Sequence, residues 1–188
     1  MSNMILNTKS LKILGEFSSD YNKRIYGRDI AKRLKMNQKT VSNILNHLEK
    51  ENILKFSFEG KNKYYHLNKF NPNIKEVIKL MEINLKISFI EKNKKIRALF
   101  GELEQRAQGI LVIFGSYAKD TNTENSDLDV FIAGKISNIE DLENLYNIKI
   151  NVVKSDKGKF DKKEHLIMEI IKNHILLKGV EELIDLIW

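Results

Sequence analysis

Cysteine is absent from the 188 residues. Disulfides are excluded with it, as is any zinc site built on thiolates, and a reducing cytoplasm fits the absence. Proline occurs once, at Pro72, so no proline-rich spacer separates parts of the chain. Long apolar runs are missing as well. The run ILVIF, Ile110 to Phe114, is far below the roughly 18 residues a membrane span requires, and no membrane partner is expected. The opening MSNMILNTKS has no basic segment followed by an apolar stretch, so the expectation is a cytoplasmic protein without a signal peptide. His47, His66, His165 and His174 fall at no metal-ligand spacing and read as surface or boundary residues. Internal repeats are also lacking.

What is present is a hydrophobic fraction of 42%, enough for a packed core at this length, and an uneven distribution of charge. Residues 1–70 carry 14 Lys and Arg against 6 Asp and Glu, residues 71–108 remain basic, and residues 110–188 carry 10 against 14. A basic front and a mildly acidic rear imply two domains with different partners, the first suited to a polyanion. The expected organisation is a domain over 1–70, a helical connector over 71–108 and a second domain over 109–188.

Leu6, Leu11, Ile13, Leu14 and Phe17 recur at near-helical spacing, with Thr8 or Ser10 as a cap. Ile30, Ala31 and Leu34 mark a second helix from Arg28 to Met36, Asn37 interrupts, and Val41, Ile44, Leu45 and Leu48 mark a longer one from Gln38 to Glu51. Two helices joined by a tight turn make a helix-turn-helix. Leu54, Phe56 and Phe58 then alternate with polar residues, Gly60 marks a turn, and Tyr65 and Leu67 resume the alternation, which is a two-stranded hairpin. Residues 21–68, including YGRDIAKRLKMNQKTVSNILNHLEKENILKFSFEGKNKYYHLN, resemble an archaeal-type winged helix-turn-helix domain. The resemblance implies double-stranded DNA as partner. It would put Gln38, Lys39, Thr40, Ser42, Asn43 and Asn46 in the major groove and Lys61, Asn62 and Lys63 on the wing. Gln and Asn can read adenine edges, whereas the lysines would neutralise phosphate.

From Pro72 to Gln108 apolar residues recur at helical spacing over a length that exceeds an ordinary helix. One long helix or two in series are expected, able to pack in a homodimer or beneath the C-terminal domain, with Gly109 as the breaker. Beyond it come an apolar strand, the segment GSYAKDTNTENSDLD from Gly115 to Asp129, the strand VFIAG, a helix over IEDLENLY, the strand IKINVV, the basic loop KSDKGKF, a helix from Lys162 to His174, the apolar ILLKG and a last helix, VEELIDLIW. That alternation is an α/β domain.

Chemistry concentrates in the Gly115–Asp129 segment. On a strand, residues i and i+2 share a face, so Asp127 and Asp129 present two carboxylates side by side while Leu128 points into the core, the outline of a divalent-metal site. A Gly-Ser pair at a strand-to-helix turn frees backbone N–H groups for a phosphate. The turn followed by SDLD, with its flanking strands, resembles the signature of the polymerase-beta-like nucleotidyltransferases, in particular the minimal nucleotidyltransferases of prokaryotes, over residues 96–183. The resemblance implies a mixed sheet with flanking helices, a nucleoside triphosphate as substrate or ligand, and transfer of its monophosphate. Gly115, Ser116, Lys119 and Ser126 would bind the nucleotide, and Asp127 and Asp129 would be the catalytic pair that holds Mg²⁺.

Two departures stand out against that family. Asp120 occupies a position commonly glycine, and the third carboxylate is replaced by Asn151, a candidate third ligand that cannot act as a general base. Glu143 and Asp156 lie nearby in sequence but outside the strand. The expected fold class is thus α/β (α+β): a winged helix-turn-helix, a helical connector and a nucleotidyltransferase-like domain. The leading expectation for function is a DNA-binding transcriptional regulator that binds, and as a further step transfers, a nucleotide. The alternatives are an active nucleotidyltransferase acting on a protein, RNA or small molecule, and an inactive, antitoxin-like interaction module.

Overall fold

The computed structural model describes residues 6–155 and 165–188. Two compact units divide them, one ending at Asn84 and the other beginning at Leu85. The fold is mixed α and β, with a three-stranded and a four-stranded sheet.

The first unit begins with α1 (Thr8–Leu14), capped by Asn7. Its Oδ1 accepts from the backbone N–H groups of Lys9 and Ser10, both at 3.0 Å, so the cap lies one residue before the Thr8 or Ser10 expected from sequence. After a 3₁₀ turn (Gly15–Phe17) come β1 (Ile25–Tyr26), α2 (Gly27–Arg33) and α3 (Gln38–Lys50). Helix α2 stops short of Met36 because Lys35 is left-handed, at φ 51°. The N–H of Met36 then returns to the Ala31 carbonyl and that of Lys35 to Lys32, closing a Schellman motif. Asn52 (φ 61°) ends α3 in the same way, with Ile53 bonded back to Leu48. Asn37, at the turn, caps α3 through bonds from Lys39 and Thr40. Val41, Leu45 and Leu48 are buried, with Ile44 at the margin. Strands β2 (Leu54–Glu59) and β3 (Asn62–Leu67) pair antiparallel across Gly60 and Lys61, and β1 adds to β3, giving the order β1-β3-β2. Gly60 stands at φ 59°, as a two-residue hairpin turn demands of its first residue.

The expected helical stretch divides in two. Helix α4 (Ile74–Lys92) runs from the first unit into the second, a 3₁₀ turn (Lys94–Ile96) follows, and α5 spans Arg97–Arg106. The helix ends at Arg106 rather than at Gly109, which lies inside β4 (Ala107–Phe114). The single turn α6 (Gly115–Ala118), β5 (Leu128–Ile136), α7 (Glu140–Tyr146), β6 (Ile150–Ser155), α8 (His165–Lys172), β7 (Ile175–Lys178) and α9 (Val180–Ile187) complete the unit. The sheet order is β6-β5-β4-β7, with β5 and β6 parallel and the other pairs antiparallel. ILLKG therefore supplies an edge strand where only an apolar segment was foreseen. Lys178 secures it by donating to the carbonyls of Glu104 and Ala107, at 2.8 and 2.7 Å, where α5 ends. Ile110 to Ile113 are buried throughout, as expected of a central strand covered on both faces. Lys154 and Ser155, foreseen as the start of the basic loop, instead extend β6, paired with Ile132 and Ala133; the rest of that loop, with Asp156, and the start of the helix foreseen from Lys162 lie outside the described residues.

Candidate functional site

Strand β4 leads into the site. Gly115 takes φ +68°, and a Cβ placed on it would meet Asp129 Oδ2 at 2.1 Å, so glycine alone fits there without moving that carboxylate. No side chain caps α6, and the first-turn N–H groups have no partner within so short a helix. The turn closes with another Schellman motif, Thr121 N–H to Ser116 O at 3.0 Å and Asp120 N–H to Tyr117 O at 3.2 Å. This motif requires a left-handed residue at position 120, where Asp120 has φ 58°. The physical reason for a glycine there is thus conformational, and aspartate is among the few other residues that tolerate it. Its charge is met by Lys92 Nζ at 2.7 Å.

The loop returning to the sheet is shaped by Ser126. Its Oγ accepts from Thr123 N–H at 2.9 Å, and its own N–H donates to the Thr123 carbonyl at 3.1 Å. That hydroxyl is committed to the turn that delivers Asp127. Leu128 N–H bonds the Lys149 carbonyl at 2.8 Å and starts the parallel pairing that sets Asp129 opposite Asn151. Leu128 is fully buried, so its two neighbours turn outward together. Asp129 also pairs in register with Phe114, at the end of β4. The carboxylates, the glycine turn and Asn151 therefore converge at one end of three adjacent strands.

Asn151, the candidate third ligand, turns its amide nitrogen toward the two carboxylates. Its Nδ2 donates to Asp127 Oδ2 at 3.3 Å and to Asp129 Oδ1 at 3.1 Å, a bridge between two like charges. Lys149 adds a cation 3.7 Å from Asp127, but both side chains are well exposed and water screens the pair. Glu143 is occupied elsewhere, its Oε1 accepting from Ile150 N–H at 2.7 Å at the start of β6. Among the described residues no group of three or more His, Cys, Asp or Glu could hold a metal. Two carboxylates remain, a hard-oxygen set that suits Mg²⁺ when phosphate oxygens complete its shell. Lys119 is exposed at the end of α6 and lies close enough to Glu169 to help hold that carboxyl below its usual range, after the larger effect of Lys172.

Residues 93–184 match the family model of the nucleotidyltransferase domain. The carboxylate pair and the glycine turn lie inside the matched residues. No curated protein matches the chain. One solved structure, described as the crystal structure of the toxin-antitoxin with AMP-PNP, is 20% identical with a TM-score of 0.35, over 50% of this chain and 78% of that one.

The residues expected to meet DNA lie in the first unit. Gln38, Lys39, Ser42 and Asn43 are exposed on α3 and Thr40 partly so, while Lys61 and Asn62 are exposed at the hairpin tip. Asn46 and Lys63 are engaged internally. Asn46 Oδ1 accepts from Tyr65 Oη at 2.9 Å and from Lys63 Nζ at 3.3 Å. The Lys63 ammonium also lies 3.9 Å from the Phe56 ring centre and 4.8 Å from that of Tyr65. A cleft of ≈ 330 Å³ opens between α3 and the hairpin, lined in part by Arg28, Gln38, Ser42, Asn46 and Lys63. Sequence reasoning missed Arg28, which no periodicity distinguishes from other helix-surface cations, and read Phe58 only as strand alternation.

Proposed function

We propose that this chain is a cytoplasmic DNA-binding protein, a transcriptional regulator, whose nucleotidyltransferase domain binds a nucleoside triphosphate together with Mg²⁺. The observation that carries this reading is the packing of the Gly115 turn against Asp129, which brings an uncapped helix start and two carboxylates together. Phosphate oxygens would accept from N–H groups at Gly115 and Ser116, with Lys119 exposed nearby. Asp127 and Asp129 would hold the magnesium. When bound, the ion offsets negative charge on the triphosphate. Asn151 bridges the same carboxylates through its amide, which takes no proton at neutral pH. An acceptor hydroxyl would find no base there, and this favours a site that binds nucleotide over one that turns it over. Binding of DNA by the first unit and of nucleotide by the second would then make regulation responsive to nucleotide state.

Calorimetric titration of Mg²⁺-ATP into the protein and into Asp127→Ala and Asp129→Ala variants tests the reading. Metal-dependent binding by the parent, lost in both variants, is expected, and no binding by the parent would end it. Labelled triphosphate should bind without transfer of label or release of pyrophosphate. Release would establish instead an enzyme acting on a protein, RNA or small molecule. Absence of any nucleotide binding would leave the antitoxin-like module. The reading includes a homodimer through α4, on which Leu80, Ile83 and Ile87 stand exposed at helical spacing, and light scattering should then give twice the chain mass.

A further inference from the structure

The hairpin of the first unit exposes more aromatic surface than a phosphate-binding wing requires. Phe58 is 65% exposed and Phe56 37%, their rings edge to face at 5.5 Å. Alternation puts them on one face with Lys63, Tyr65, Leu54 and Leu67. At its base that face is buried, through Leu54 and Leu67, and ties to α3 through Tyr65 and Asn46. Toward the tip it overhangs into water as Phe56 and Phe58. Glu59, the hairpin's only acidic residue, is on the opposite face and bound to Arg24 at 2.8 Å. The charged neighbours of the two phenylalanines are therefore cations, Lys61 at the turn and Lys63 over the Phe56 ring. Lys63 and Tyr65, both next to Phe56, also line the ≈ 330 Å³ cleft, which has Arg28 on its wall and the amide and hydroxyl groups of Gln38, Ser42 and Asn46 on its helix side.

An intact duplex offers such a face little. Its base faces are buried in the stack, and what it exposes is phosphate and base edges, to which a phenylalanine contributes no hydrogen bond. An unstacked base offers a π-face to Phe58, and its phosphodiester offers charge to Lys61 and Arg28. The cleft is at the small end of ligand-sized cavities, suited to one nucleotide rather than a strand. We propose that the face formed by Phe56 and Phe58, with the adjoining cleft, holds an unstacked base, so that the chain prefers nucleic acid with an unpaired segment over fully paired duplex. The proposal rests on the DNA-binding reading of the first unit.

Fluorescence anisotropy of the full chain with three probes tests it: a fully paired duplex, the same duplex with a central unpaired bulge, and the single strand. The bulged probe and the single strand should bind about ten-fold more tightly than the paired duplex. Phe58→Ala should abolish that preference and leave affinity for the paired duplex unchanged, and Phe58→Trp should restore it. Because Phe58 is largely exposed, truncation leaves the core intact. 2-Aminopurine in the bulge should be quenched by the parent and not by Phe58→Ala. Equal binding of all three probes, or equal loss on all three in Phe58→Ala, overturns the proposal while the DNA-binding reading stands. Binding of no probe overturns both. If Phe58→Ala changes only self-association, the face joins copies of the chain and the proposal fails.

Discussion

Replacement of Gly115 by alanine should be the most informative single change in this protein. Two costs are separable at that position. The first is conformational: φ +68° is left-handed, and a side chain there costs about 1–2 kcal/mol. The second is steric. The new Cβ would lie 2.1 Å from Asp129 Oδ2, so the carboxylate must swing away and lose the bond of 3.1 Å from Asn151, a charge-assisted contact that contributes about 1.5 kcal/mol. Gly115→Ala should then destabilise the second unit by about 3 kcal/mol. Gly60 provides the reference, since it also has a left-handed φ, +59°, but nothing lies within 4 Å of its would-be Cβ. Gly60→Ala should cost about 1–2 kcal/mol and no more. In an Asp129→Ala background the obstructing oxygen and its hydrogen bond are already gone. There Gly115→Ala should fall back to the conformational cost, giving a coupling of about 1.5 kcal/mol. Urea denaturation followed by circular dichroism measures all four corners of the cycle. If Gly115→Ala costs no more than Gly60→Ala, or if the cycle shows no coupling, the packing of turn against carboxylate is not what constrains this position.

Asn151→Asp would put a third carboxylate in place of the amide bridge and should destabilise the metal-free domain by about 2 kcal/mol, with Mg²⁺ recovering the loss, as thermal melts with and without chelator would show. Leu128→Ala, at a fully buried position, should cost about 3 kcal/mol in the same denaturation assay. Tyr21 donates to Glu82 at 2.8 Å, and burial, followed by the adjacent carboxylate, raises its pKa far above that of a free phenol. The group is neutral in the fold and ionises only on unfolding, so its contribution is complete below about pH 10 and declines as pH rises from there. Alkaline denaturation of Tyr21→Phe should lack that component. For duplex binding, Lys39→Ala should lower the salt dependence of log K by about one unit, whereas Lys63→Ala should lower it less, because the Lys63 ammonium is already held over two rings and by Asn46.

Much of the fold was legible along the chain. The apolar run Ile110–Phe114, the Gly-Ser turn and the spacing of Asp127 and Asp129 about a buried Leu128 follow from strand alternation alone. Helices α2 and α3 and the hairpin followed from periodicity, although the helix ends did not. Lys35 and Asn52 terminate α2 and α3 through left-handed backbone that no apolar pattern encodes. The edge strand Ile175–Lys178 was ambiguous because three apolar residues and a lysine have no period of their own. The glycine preference at position 120 was visible as a departure, but its reason was not, since it lies in the bonds that close α6.

By itself, then, the sequence determined which residues share a face, because covalent spacing places Asp127 and Asp129 together and a small residue at the turn whatever surrounds them. Tertiary structure decided what those residues meet. Asn151 reaches the carboxylates only through the register of β5 against β6, Lys92 reaches Asp120 across 28 positions of chain, and Lys63 is drawn from solvent onto Phe56 by the hairpin's pairing. Partners far apart in sequence are chosen by packing, and at this site packing supplied an amide between two carboxylates and a glycine beneath one of them.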